Sequence, residues 1–279
     1  MSRIEPSVQK QPVSPELYTE EYFTTACEGY DEFLTTEGQQ LSRRLAAAFE
    51  LAAVAPGMRV LDVGCGRGEI LLHCAELGAD VYGIDYAPVA LQLTRQLLEK
   101  AKNEASKNDT KSSGNIGVSL ADAKHLPFPN GYFDRVLMFD VVEHLHPWEL
   151  HQAMQDVHRV LKPDGRFIIH TAPNIWYDRY AYPIVRLFRQ IARQGAKYPK
   201  NPREFLVDHN QDVHVNEQSW WSLKQALKAA GFNGKVWLDS PPQNRRENVI
   251  LAMLRRFLFG VPPVRWFFER EVFAVAGKD

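Results

Sequence analysis

Between Pro56 and Pro173, short apolar runs alternate with longer stretches whose apolar residues recur at three and four. The runs Arg59–Val63, Asp80–Asp85, Ile116–Leu120, Arg135–Asp140 and Arg166–Thr171 have the length and composition of buried strands. The stretch opening at Glu69 (Ile70, Leu71, Ala75, Leu77), then Val89–Lys102 and Pro147–Leu161, have the helical period. Strands alternating with helices predict an α/β fold with a mostly parallel sheet wound on both faces. Ahead of this core Tyr18–Ala53 reads as helical, with Leu41, Leu45, Phe49 and Ala52 on one face and Tyr18, Tyr22, Phe23, Tyr30 and Phe33 clustered before them. Behind the core, Glu217–Ala230 reads as a helix stopped by Gly231. Gly234–Leu238 and Glu271–Ala276 then complete a seven-stranded sheet. Asn103–Asn115 has no apolar anchor and reads as a polar loop.

This pattern divides the chain. Residues 1–17 are polar and proline-dotted, expected as a disordered tail, and 18–55 form the helical segment. Residues 56–173 form a ligand-binding core, which 217–238 and 271–279 complete. Two insertions, 174–216 and 239–270, leave from the carboxyl ends of strands, where such sheets place their ligands, and are expected to pack together as a helical cap. In the second, Val249, Ile250, Leu251, Met253, Leu254, Phe257 and Leu258 make a nearly all-apolar helix that needs a partner. The expected partner is the apolar face Ile184, Leu187, Phe188 and Ile191.

With 279 residues and 45% hydrophobic content, the chain can bury a sizeable core. No run of eighteen apolar residues is present, and Met1–Pro15 lacks the features of a secretory signal. Cys27, Cys65 and Cys74 are odd in number and without metal spacing, as in a cytoplasmic protein with reduced thiols. The net charge of −1 is unevenly placed. Seven of the 33 basic residues lie between Arg179 and Arg203, a span with no acid, so the rest of the chain has an excess of eight acids. The segment 179–203 suits an anionic acceptor or peripheral contact with a membrane. No nucleic-acid recognition module accompanies it.

The chemistry gathers at Leu61–Glu69, which reads L-D-V-G-C-G-R-G-E. A strand, a glycine turn and a helix make the nucleotide-binding corner of a doubly wound sheet. The spacing is not the dinucleotide G-x-G-x-x-G, because the last glycine's place is taken by Glu69 or Leu71. A carboxylate beside a pyrophosphate would repel it, which argues against a nicotinamide dinucleotide. Carboxylates suit a ligand with an amino group and ribose hydroxyls.

This motif resembles the first motif of class I S-adenosylmethionine-dependent methyltransferases. Val81–Tyr86 (V-Y-G-I-D-Y), Ala121–Asp134 (A-D-A-K-H-L-P-F-P-N-G-Y-F-D), Val136–Leu145 (V-L-M-F-D-V-V-E-H-L) and Val160–Ile169 (V-L-K-P-D-G-R-F-I-I) follow in the family's order. The likeness covers Pro56–Pro173 and points to the small-molecule branch that includes ubiquinone-type enzymes. It implies a Rossmann-like fold, S-adenosylmethionine as cofactor, and methyl transfer to a small or lipid-linked acceptor, with oxygen the expected atom.

The resemblance also implies roles. Asp62 orders the glycine turn and faces the cofactor's amino group, while Gly64, Cys65 and Gly66 give the backbone room. Asp85 accepts the ribose hydroxyls, Tyr86 packs on the adenine, and Asp122 with Ala123 meets the adenine edge. Asp140 ends the fourth strand beneath the methyl-transfer position, and Tyr22 is the candidate to touch the methionine part. An oxygen acceptor gains from a base. His144 is the first candidate by motif position, with His209, His214 and His146 in reserve. No metal is expected. The alternative is a catechol-type enzyme holding a divalent ion at Asp140, Glu143 and His144 with a distant histidine. A non-catalytic protein that binds S-adenosylmethionine is a further alternative.

Overall fold

The computed structural model describes residues 10–27, 29–107, 114–191, 193, 198–202, 212–239, 253, 256, 258 and 260–279. Its centre is one seven-stranded sheet: β1 (Arg59–Val63), β2 (Asp80–Asp85), β3 (Ile116–Leu120), β4 (Phe133–Phe139), β5 (Leu161–Thr171), β6 (Phe232–Asp239) and β7 (Glu271–Lys278). The spatial order is β3-β2-β1-β4-β5-β7-β6. Every pairing is parallel except those of β7, which lies antiparallel between β5 and β6. Chain order reverses between β1 and β4, and a ligand crevice opens at their carboxyl ends. This is the doubly wound fold expected from the alternating runs. β1 and β4 are buried on both faces, which is why they read as apolar runs and not as alternations.

Helices cover both faces. On one side α5 (Pro147–Val160) and α7 (Trp220–Ala229) bring Met154, Val157, Leu223 and Leu227 against Leu61, Phe133, Val136 and Phe167. On the other, α2 (Arg43–Glu50), α3 (Glu69–Glu76) and α4 (Pro88–Lys107) bring Ala48, Leu71, Cys74 and Leu91 against Val60, Val81, Leu137 and Ile168. Ser42 caps α2 by accepting from the Leu45 amide, and Ser219 caps α7 by accepting from that of Ser222. The remaining helices are α1 (Tyr30–Thr36), α6 (Tyr182–Ile191) and the short α8 (Arg265–Phe268).

Several expectations change. The segment 18–55 is not one helix: a π-turn at Tyr22–Ala26 is followed by α1 and α2, with Gly29 and Gly38 in the left-handed region at the breaks. The tail is ordered from residue 10, because tertiary contacts hold it. Val13 is buried beside Tyr18 and Tyr22, the Tyr86 hydroxyl donates to the Val13 carbonyl, and the Trp148 indole donates to that of Lys10. The polar loop begins later than expected, since α4 continues to Lys107; residues 108–113 lie outside the described ones.

The described residues of 174–216 and 239–270 touch at one end. The Asn174 side-chain amide donates to the Trp266 and Glu269 carbonyls, and Trp176 stacks on Phe267 at 5.6 Å. The expected contact of α6 with the apolar helix is a different matter. Most of Val249–Phe259 lies outside the described residues, and the apolar side chains of α6 are exposed.

Candidate active site

The turn after β1 bends because Gly64, Gly66 and Gly68 all have positive φ, which only glycine adopts without strain. A Cβ on Gly64 would collide with Val141, so the loop lies directly against the end of β4. Arg67, buried within the loop, donates to Glu69 at 2.8 Å and to the Phe23 carbonyl at 2.7 Å, and its guanidinium lies 5.0 Å from the Phe33 ring centre. One loop residue thus ties the amino-terminal aromatics over the crevice.

Beneath them lies a cavity of about 510 Å³. Its wall includes Asp62, Gly64, Cys65, Gly66, Asp85, Tyr86, Asp122, Ala123, Asp140, Tyr22, His144 and His214, so eleven positions read as cofactor or catalytic candidates and one reserve histidine share a single cavity. His209 lies outside the described residues, and His146 is buried at the start of α5.

One end of the cavity is acidic. Burial, reinforced by Asp85 and Glu69, pushes the Asp62 carboxyl up to about 8. Burial raises Asp85 to about 6, against the opposing amides of Ala87 and Gly66, from which its two oxygens accept at 2.9 and 3.1 Å. A carboxylate has about four acceptor positions, so Asp85 keeps capacity for further donors. Two buried carboxyls beside open glycine backbone fit an ammonium group and a pair of hydroxyls, the donor set of a nucleoside that carries an amino-acid side arm. Asp122 accepts from the Lys124 amide at 2.9 Å and pairs with its ammonium at 2.9 Å.

The other end holds two networks. Asp140 follows β4 with φ of 53°, a strained conformation for a residue with a side chain. It meets Arg44 at 3.2 Å and His170 Nδ1 at 2.8 Å. Burial opposes its ionisation, but Arg44 and His170 win and hold the carboxyl well below the ordinary range. Burial likewise opposes the charge on His170, but Asp140 and Glu271 raise it to about 9. Neither Arg44 nor His170 was singled out by the sequence, because one arginine on an amphipathic helix and one histidine in an apolar strand carry no motif.

The second network is Glu143, His144 and His214, whose ligating atoms lie within 4.8 Å of one another. Glu143 accepts from the Thr171 hydroxyl at 2.7 Å; burial, with Asp140 adding, raises it to about 8. Burial depresses His144 to about 4, so its ring is neutral near pH 7. His144 Nδ1 lies 3.2 Å from the Val213 carbonyl, a donor contact that leaves Nε2 as an acceptor. Asp140 is not in this group, because its carboxylate is engaged by Arg44 and His170. The carboxylate-histidine alternative therefore has His214 as its distant histidine and loses Asp140.

Known proteins share this fold and its motifs. A family model described as a methyltransferase domain matches residues 61–169. The demethylmenaquinone methyltransferase of Symbiobacterium thermophilum is 32% identical over 242 residues, covering 80% of this chain and 88% of the relative. The ubiquinone/menaquinone biosynthesis C-methyltransferase of Ralstonia pickettii is 26% identical over 197 residues, covering 67% and 72%. Among solved structures, an S-adenosylmethionine-dependent methyltransferase from Archaeoglobus fulgidus shares the fold at a TM-score of 0.53 and 19% identity, covering 89% of this chain and 99% of its own length. Fold and motifs define the class, the S-adenosylmethionine-dependent methyltransferases. Within it, the chain belongs to the methyltransferase-domain family shared with the demethylmenaquinone methyltransferases.

Proposed function

We propose that this enzyme methylates a small, lipid-soluble aromatic acceptor bearing a hydroxyl group, the reduced form of the quinone type named in its relatives. The observation that carries the reading is the Glu143–His144–His214 group, which faces the same cavity as the acidic cofactor end. When bound, S-adenosylmethionine supplies a methyl group on a positive sulfur and leaves as a neutral thioether. Asp62 holds the amino group, Asp85 the ribose hydroxyls, and Tyr86, Asp122 and Ala123 wall the adenine. The chain's main task is then to align donor and acceptor.

A phenolic acceptor must also lose a proton to become nucleophilic. In this reading His144 Nε2 accepts the hydroxyl hydrogen bond, and Glu143, whose pKa of about 8 is near operating pH, is the stronger proton acceptor behind it, a role supported by the His144 Nδ1–Val213 contact. A phenolate activates its own oxygen and its ring carbons alike. Of the two, ring carbon is the atom proposed in place of oxygen, supported by the name of the Ralstonia pickettii relative, a C-methyltransferase. The insertions 174–216 and 239–270 cover the acceptor, a reading supported by the Trp176–Phe267 and Asn174–Trp266 contacts.

The test is turnover of a reduced naphthoquinol with labelled donor, the methyl position being read by NMR. His144→Asn should lower kcat about a hundredfold with cofactor affinity unchanged. Full activity in that variant, or a product methylated on oxygen, overturns the corresponding part. A second reading follows from one observation: a carboxylate and two imidazoles, one neutral near pH 7, suit a divalent transition metal. Activity that survives exhaustive chelation removes it.

A further inference from the structure

Helix α6 is packed the wrong way round for a helix of a water-soluble surface. Tyr182 is buried, and its hydroxyl donates to the Pro199 carbonyl at 2.7 Å. On the same side Arg186 donates to the Tyr198 carbonyl at 3.1 Å, and the Arg189 guanidinium lies 5.3 Å from the Tyr198 ring centre. The side that carries Tyr182 and Arg186 thus rests on the protein, while Arg189 is itself exposed. The apolar stripe at the i, i+3, i+4, i+7 spacing points outward: Ile184, Leu187, Phe188 and Ile191 are 47, 56, 66 and 72% exposed. Tyr180, just before the helix, is 49% exposed. Soluble surfaces seldom leave such a patch without a partner.

Charge decides which partner. The span 179–203 holds seven basic residues and no acid, and Arg179, Arg189, Arg193 and Lys200 are exposed around the stripe. A second copy joined through the same face about a two-fold axis would bring two of these basic segments together. Joined head to tail onto the acidic remainder, copies would form a closed ring or an open-ended chain, in which each basic segment would have to meet an acidic face. An anionic bilayer satisfies both features at once, taking the apolar side chains into the boundary of headgroups and acyl chains and attracting the basic rim.

We propose that α6 is an interfacial helix that docks the enzyme on anionic lipid, with Leu187 and Phe188 at the centre of the inserted face. The helix follows directly from the turn at Tyr177–Ala181. Over Tyr177 stands the Arg270 guanidinium, 5.2 Å from the ring centre, and Arg270 lines the cavity. The turn that leads into the docked helix therefore touches a residue of the cavity wall. That a lipid-soluble acceptor enters there rests on the proposed function; the docking does not.

The experiment is flotation of the full chain with phosphatidylcholine vesicles, with and without about one third phosphatidylglycerol. The protein should float with the anionic vesicles, remain behind with the neutral ones, and be released by raised salt. The double variant L187E/F188E changes only exposed positions and should reduce partitioning about tenfold or more. Calorimetry with S-adenosylhomocysteine shows whether it is folded, and an environment-sensitive dye on Ile191→Cys should shift to the blue with anionic vesicles. Wild type that ignores anionic vesicles at low salt, or a variant that binds as wild type does, overturns the proposal. So does a wild-type dimer in light scattering that L187E/F188E converts to monomer, which assigns the face to a second copy. If docking holds while naphthoquinol turnover fails, the acceptor reading falls and the lipid surface stands.

Discussion

Asp62 and Asp85 are buried carboxyls whose pKa values are raised by burial first, and for Asp62 by its acidic neighbours next. If Asp62 meets the cofactor's ammonium group, binding must take its ionised form. Near pH 7 the free protein holds that proton, so binding of S-adenosylhomocysteine should release it. Affinity should rise with pH up to about 8 and then flatten. Calorimetry in buffers of different ionisation enthalpy measures the released proton directly. Asp62→Asn should abolish the release, and a release that persists in the variant would assign it to another group. Asp85→Ala should cost about 2–4 kcal/mol of cofactor affinity through two charge-assisted hydrogen bonds. The variant also frees the Gly66 and Ala87 amides, so the melting temperature of the unliganded protein separates loop damage from lost ligand contacts.

The glycine turn is an element whose sequence and packing impose the same condition. Gly68 opens α3 at φ of 92°, and a Cβ there would stand 2.8 Å from Thr94 Cγ2. Thr94 cannot withdraw freely, because its hydroxyl donates to the Gly66 carbonyl at 2.7 Å. Gly68→Ala should therefore destabilise the fold by about 1–3 kcal/mol, read from the urea midpoint, and weaken the cofactor site with it. An unchanged midpoint would show that the loop relaxes. Such elements are legible in sequence because local rules set them: glycines where φ is positive, apolar runs where both faces are covered, an acid at a strand tip. Elements fixed by distant contacts are not. Residues 10–17 are ordered through Tyr86 and Trp148, more than seventy positions away, and the helical spacing of the early aromatics hides the breaks at Gly29 and Gly38. Asp140 shows the same limit within the site. Its motif position suggested a cofactor or metal group, but its environment comes from Arg44 on α2 and His170 on β5, which only the fold brings together.

For the whole molecule, burying so many ionisable groups at one crevice makes stability depend on pH in a definite direction. Asp62 and Glu143 have pKa values of about 8 when folded, against ordinary values of 3.8 and 4.5. The folded state thus holds more protons than the unfolded chain, and their contribution declines as pH rises from about 4 through 8. His170 is raised from 6.5 to about 9, so its contribution is full below 6.5 and is lost as pH passes 9. His144 acts oppositely, but it changes between about 4 and 6.5 and is complete above that range. Asp140, held low, is ionised in both states above about pH 5 and adds no slope there. Between pH 6.5 and 8, three groups therefore act together, and stability should fall across that interval and continue to fall toward 9. Urea midpoints at pH 6.5, 7.5 and 8.5 measure it. His170→Gln should flatten the upper part of the curve, because the glutamine does not titrate. Saturating S-adenosylhomocysteine should flatten the lower part, because Asp62 is then already ionised in the folded complex. A midpoint that rises with pH in the unliganded protein would mean that Asp62 and Glu143 are solvated and ionised at neutral pH, and the proton release expected on cofactor binding would vanish with the slope.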